Sequence, residues 1–230
     1  MKTVVHELGN EGNKVIVIDD AVPAVAGLIE MAAASAFSEV VDNSYPGTRR
    51  PLRPQIDAER DYVTYLCNIA GRALHDAFGF ERFQVDAAFL SLLTKRPQDA
   101  NPLTRIPHYD EVLRPKYALL HFLSPRVQGG TGFYRQRRTG FERISVDRKD
   151  RFHEALRDDY AAYGEPPMAY MSGSNEGFDQ IGYFEGQLNR LLIYSGALLH
   201  SAHVPDDFAD PRTGRLTANL FVVIPPPQKS

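Results

Sequence analysis

The sequence predicts an α+β protein in which N-terminal helices pack outside a β-sandwich or barrel. Three observations carry this. The first 80 residues are rich in helix formers with apolar residues at helical spacing. From residue 83 onward the chain breaks into seven or so short runs enriched in aromatic and β-branched residues. Those runs are bounded by Gly, Pro, Asn or Asp, the residues that end strands.

The elements follow in order. The start, "MKTVVHELGN", reads as a loose end, and "NKVIVIDDAVP" as a short strand over 15–19 closed by Asp19, Asp20 and Pro23. "AVAGLIEMAAASAFSEV" reads as a helix, and "NSYPGTRRPLRP" as a loop. A second helix starts at Asp57 and carries Tyr62, Tyr65, Leu66, Ile69, Ala70 and Leu74 along one face. Strands are then expected in "ERFQVDAAFLSLLTK", "YALLHFLS", "TGFYRQ", "FDQIGYFEG", "NRLLIYSG", "LLHSAHV" and "RLTANLFVVI". They are interrupted by one charged helix, "DRKDRFHEALRDDYAAYG". We expect a single domain over 1–230, with residues 1–80 mainly helical and a β core over 83–224.

Composition narrows the class. The chain has 230 residues, 43% of them hydrophobic, a net charge of −3 and a pI near 6.2. A nucleic-acid or membrane-surface partner would call for a basic excess, so neither is expected. The single cysteine, Cys67, excludes an internal disulfide and a Cys-based metal cluster. No signal peptide and no apolar run of roughly 18 residues is seen, so a cytoplasmic setting is expected.

The chemistry starts at "RIPHYDE", where His108 and Asp110 stand two apart. In an extended strand residues i and i+2 share a face, so the imidazole and carboxylate converge while Tyr109 points away. Two His and one carboxylate on one face of an octahedron are the ligand set of non-haem Fe(II) oxygenases. His200, at the end of the apolar run "LLIYSGALLH", is the preferred second histidine, with His203 as its rival. Arg215 and Thr217, again two apart, enter an apolar strand. A guanidinium there needs an anion: either a ligand carboxylate, met in bidentate fashion, or a local Asp such as Asp207 or Asp210. Tyr117 and His121 share a face of "YALLHFLS"; each is read either as a donor to a bound ligand or its surroundings, or equally as a core residue with a satisfied polar tip. Phe133 and Tyr134 are candidate pocket walls. Arg135, Arg137 and Arg138 are candidates to meet an acidic substrate, with a solvated basic hairpin face as the preferred reading for Arg137 and Arg138; His75 and His153 read as solvent-facing, and His6 as part of the loose start. Cys67 reads as buried and inert.

In combination, "HYD…GGTGFYR…YSGALLHSA…GRLTANLF" resembles the Fe(II)- and 2-oxoglutarate-dependent dioxygenase superfamily, in particular its prolyl-hydroxylase-like branch and an uncharacterised bacterial family of oxygenases. The resemblance covers roughly residues 83–224. It implies a double-stranded β-helix, a jelly-roll, cupin-like barrel. It also implies Fe(II) held by His108, Asp110 and His200, and 2-oxoglutarate held by Arg215 with Thr217 and Tyr117. The implied reaction uses O2 to hydroxylate or otherwise oxidise a small molecule or amino-acid side chain, releasing succinate and CO2. Fifteen residues separate His200 from Arg215 and twelve separate His203 from it, which keeps His203 open. The alternative reading is a cupin-like metal or small-molecule binder, or an oxygenase fold without 2-oxoglutarate turnover. Dimerisation through the N-terminal helices is left open.

Overall fold

The computed structural model describes residues 1–40, 45–126, 129–204 and 212–226. Eleven strands form two antiparallel sheets. The large sheet runs β1(Lys2–Leu8), β2(Asn13–Asp19), β9(Leu191–Ser195), β6(Lys116–Phe122), β11(Leu216–Val223), β5(Gln84–Leu93), β4(Gly47–Pro51) and β3(Ser38–Glu39). The small sheet runs β10(His200–His203), β7(Gly130–Gln136), β8(Phe178–Glu185). No strand pairing closes the two sheets into one barrel among the described residues.

The period-2 pattern of each strand separates two cores. On β11, Leu216, Ala218, Leu220 and Val222 join Leu119, Ile193, Ile16 and Ile18 on the outer face of the large sheet. Helices α1(Val25–Ala33) and α2(Asp57–Phe78) cover that face, α2 through Tyr62, Leu66, Ile69, Ala70 and Leu74. The alternate residues Ala118, Leu120, Phe122, Leu192 and Tyr194 meet Phe133 and Phe184 of the small sheet across the interior. The other side of the small sheet is closed by α3(Lys149–Tyr163), where Phe152 packs with Tyr134, Phe178 and Leu199. Helices outside an antiparallel β core therefore match the sequence reading.

The N-terminal part differs from that reading. Residues 1–80 hold four strands beside the two helices, and these strands extend the same sheet as β5, β6, β9 and β11. The expected loose start is β1, paired along its length with β2, and His6 packs its ring 5.0 Å from Phe184. The expected loop contains β4, which pairs with β5 despite its Pro and Gly content. Pro51 ends this short strand, where a missing N–H is tolerated.

A buried polar network ties α2 to the sheet. The Tyr62 hydroxyl lies 2.8 Å from His121 Nδ1, and His121 Nε2 lies 3.0 Å from Asn189 Oδ1. An amide oxygen only accepts, so Nε2 carries the proton and Nδ1 accepts from Tyr62. Asn189 is itself held by Val22, whose N–H donates to Oδ1 at 2.9 Å and whose carbonyl accepts from Nδ2 at 2.8 Å. Burial pushes the His121 pKa from 6.5 down to about 4, against the opposing bond to Asn189. The unfolded chain thus binds the extra proton between those two values. Stability contributed by this neutral imidazole is full above about pH 6.5 and falls as pH drops toward 4. Urea unfolding at pH 7.5, 6 and 5 should show this decline, and His121→Gln should flatten it. Tyr62→Phe, which leaves Nδ1 without its donor, should cost about 1–2 kcal/mol in the same assay.

Candidate functional site

A cavity of about 570 Å³ opens between the two sheets. Its walls include His108, Asp110, Tyr194 and His200, together with Arg215, Thr217, Asn219 and Phe221. The size lies in the range of small-molecule sites.

His108 and His200 form an isolated antiparallel bridge. Each N–H donates to the other's carbonyl at 2.9 Å. Residues directly opposite in such a pair project to the same face, which sets the two imidazole rings 4.5 Å apart. Asp110, two residues on, is tethered by its own N–H to the Gly196 carbonyl at 2.7 Å. Donor atoms of His108, Asp110 and His200 all lie within 4.8 Å of one another, close enough to share one metal ion. His200 Nδ1–H donates to the Leu198 carbonyl at 2.8 Å, which leaves the Nε2 lone pair facing Asp110 Oδ2 at 3.7 Å.

His108 opens to the cavity yet is ringed by protein. Burial drives its pKa down from 6.5 to about 4, with the His200 and Arg49 charges adding to the shift and Asp110 and the Ile106 carbonyl opposing it. A neutral imidazole at neutral pH is the form a metal binds.

Arg215 is 3% exposed. None of the described carboxylates pairs with it. Nη2 donates to the Gly130 carbonyl at 3.2 Å, the guanidinium lies 5.7 Å from the Phe122 ring centre, and Nε is buried without a hydrogen-bond partner. Burial lowers its pKa, against the electrostatic pull of Tyr45, Tyr194, Tyr183 and Tyr170. Thr217 Oγ1 accepts from Asn219 Nδ2 at 2.9 Å, so its hydroxyl hydrogen is free to donate elsewhere. Gly130 explains part of the "GGTG" stretch: a Cβ there would meet the Phe184 carbonyl oxygen at 2.2 Å. The strand can therefore lie against β8 only with a bare Cα at this point. Asp207 and Asp210, the local partners considered for Arg215, lie outside the described residues.

The structure brings together His108, Asp110, His200, Arg215 and Thr217 in one cavity. Tyr117 is the exception. It sits on the outer face of β6 with its ring 5.1 Å from Phe78 and 5.4 Å from Phe80. It therefore faces the helices and not the cavity, because residues 117, 119 and 121 share the face opposite to 118, 120 and 122. His121 shares that fate. His203 does not join the cluster; its ring packs 5.4 Å from Tyr183. Phe133 and Tyr134 are core residues, buried in the interior and against α3 respectively. Arg135 and Arg137 pair with Asp179, and Arg138 with Asp159. His153 meets the Tyr109 hydroxyl at 3.0 Å. Sequence reasoning missed Arg49, Thr131, Tyr194 and Asn219. The i, i+2 rule extended past Thr217 would have found Asn219, whereas Arg49 was hidden in a segment read as a loop.

Residues 1–222 match the model of DUF6445, described as a family of unknown function. No curated protein matches the sequence. Among solved structures, HygX from Streptomyces hygroscopicus with nickel and 2-oxoglutarate bound aligns at 13% identity and a TM-score of 0.53, over 91% of this chain and 82% of that one. The non-heme alpha ketoglutarate dependent epimerase SnoN from nogalamycin biosynthesis aligns at 13% identity and 0.54, over 92% and 76%. The viral collagen prolyl hydroxylase of Paramecium Bursaria Chlorella virus-1, as its 2OG complex, aligns at 11% identity and 0.50, over 91% and 95%. At these identities the likeness is one of fold, and it is the fold of the superfamily that the sequence resembles.

The bridge geometry yields a direct expectation for metal binding. Calorimetric titration with Mn(II) should show affinity lowered by more than about tenfold in His200→Ala and His108→Ala, and little changed in His203→Ala. Loss in His203→Ala alone would reassign the ligand.

Proposed function

The chain belongs to the DUF6445 family, and from that premise and its cavity we propose that it is an Fe(II)- and 2-oxoglutarate-dependent oxygenase acting on a small molecule or an amino-acid side chain. The observation that carries this reading is Arg215: a buried guanidinium without a described carboxylate partner, in the same cavity as two imidazoles and a carboxylate arranged to share one metal. A plain metal binder has no need of such an anion clamp. The fold likeness to enzymes crystallised with iron, nickel or 2-oxoglutarate supports it further.

In this reading the two sheets are the faces of a double-stranded β-helix within one domain, and the protein works in the cytoplasm. His108, Asp110 and His200 would hold the metal. The Leu198 carbonyl keeps His200 in the tautomer that offers Nε2, and burial keeps His108 neutral. Arg215 and the Thr217 hydroxyl take the C5 carboxylate of 2-oxoglutarate. The Gly130 carbonyl holds the guanidinium in place for this. When bound, Fe(II) and 2-oxoglutarate supply O2-dependent oxidation coupled to release of succinate and CO2. Leu120, Tyr194 and Phe221 give the cavity an apolar wall that keeps water from the reacting centre. The similar enzymes HygX and SnoN are known with hygromycin B and a nogalamycin compound bound, which supports a small-molecule substrate here.

Anaerobic Fe(II) titration with and without 2-oxoglutarate tests this. The wild type should develop a weak visible charge-transfer band that needs both components. His108→Ala and His200→Ala should abolish it. Arg215→Gln should raise the 2-oxoglutarate concentration for half-development by at least about thirtyfold, the scale for truncating one partner of a buried charged pair. Tyr117→Phe should leave the band unchanged. Iron binding without any band would favour a metal-binding protein that does not use 2-oxoglutarate.

A further inference from the structure

The cavity contains a second guanidinium that the proposed reaction does not use. Arg49 and Arg50 are neighbours on β4, and strand alternation sends them to opposite faces. Arg50 goes to the helix side, where the buried Glu59 neutralises it. Arg49 goes to the cavity side, in register with Ser91 of β5, which is in turn in register with Thr217 of β11. Its guanidinium lies 4.4 Å from the Tyr45 ring centre and 5.4 Å from that of Phe89. Nε is buried without a hydrogen-bond partner, and none of the described carboxylates forms an ion pair with it. Two aromatic faces thus hold the fork in a fixed plane while its charge stays unmatched.

The charges around the cavity make the point sharper. Lys116 also lines it but is matched by Asp86 at 2.9 Å and Glu111 at 3.9 Å. Asp110 is the only acid among the described lining residues. Among the described residues, a divalent metal and two guanidiniums against one carboxylate and dianionic 2-oxoglutarate leave one positive charge without a counterpart. 2-Oxoglutarate has two carboxylates, and the metal and Arg215 account for both.

We infer that Arg49, held between Tyr45 and Phe89 on the cavity wall, recognises a carboxylate or phosphoryl group on the substrate, so that the substrate is an anionic small molecule. This rests on the oxygenase reading for what fills Arg215. Arg49 is a binding residue in this scheme and takes no part in the chemistry. Its planar fork, carried on the cavity wall beside two rings, suits bidentate contact with such a group.

The test uses the full chain loaded with Mn(II) and saturated with 2-oxoglutarate, so that Arg215 is already occupied. Benzoate and phenyl phosphate are titrated calorimetrically, with benzamide as the neutral control, into wild type, Arg49→Gln and Arg49→Lys. The same titrations are run without 2-oxoglutarate, and thermal melts check folding. Binding of benzoate or phenyl phosphate but not benzamide, weakened at least about tenfold in Arg49→Gln and partly kept in Arg49→Lys, supports the inference. The tighter of the two anions names the group. Binding that is absent from wild type, or equal in wild type and Arg49→Gln, overturns it. Should Arg49→Gln instead abolish 2-oxoglutarate binding while Arg215→Gln does not, Arg49 is the co-substrate clamp and the inference falls. Failure of wild type to bind 2-oxoglutarate sinks the oxygenase reading separately, because Arg49-dependent binding of the anions is read on its own.

Discussion

The candidate site hangs on one backbone interaction, the reciprocal bridge between His108 and His200. Residue 108 lies in no regular strand, and its own segment offers its ring the Ile106 carbonyl. Pairing it with the first residue of β10 supplies two hydrogen bonds, and the pleat then aims both imidazoles the same way. Asp110 inherits its position from the same register, through its N–H to Gly196. A slip of one residue would turn His108 and Asp110 away together and put Tyr109 in their place. The small sheet that carries β10 is held from behind by Phe152 and Leu199 and from the front by Phe133 and Tyr194, so the bridge sits between two packed layers.

The large sheet serves two purposes with its two faces. The outer face of β6 puts Tyr117 against Phe78 and Phe80, and His121 into a closed network with Tyr62 and Asn189. The His121 ring is thereby satisfied by Tyr62 and Asn189, and the Tyr117 ring is packed against aromatic neighbours. The inner face of β11 carries Thr217, Asn219 and Phe221 along the cavity, with Arg215 just ahead of the strand. Burying that guanidinium is costly without an acceptor, and among the described residues the protein provides the Gly130 carbonyl and no carboxylate. A pre-positioned, incompletely matched cation gives affinity and orientation to an anion at once. Arg49 repeats the device two strands across, on β4.

Much of this was legible in the sequence because it depends on short spacings. The pairs His108/Asp110 and Arg215/Thr217 are two apart, and a period of two is what an extended chain translates into a shared face. Strands from β5 onward declare themselves through runs of Val, Ile, Leu, Phe and Tyr, and α2 through its helical stripe. The strands β1, β3 and β4 do not. β1 mixes polar and apolar residues and is largely exposed, β3 has two residues, and β4 carries Gly and Pro; each is a strand because a neighbour offers hydrogen bonds, not because of its own composition.

By itself, then, the sequence determined the class of fold, the candidate ligand types and the two local pairs, since all of these follow from residue chemistry and local periodicity. Only the tertiary structure decided which side of each strand faces the cavity and which faces a helix. Alternation defines two faces without saying which is inside. That choice removed Tyr117 and His121 from the site, selected His200 over His203 and brought in Arg49. It is made by what packs on the sheet: α2 covers one face with a wall of aliphatic side chains, and the polar residues it cannot satisfy are left to the other.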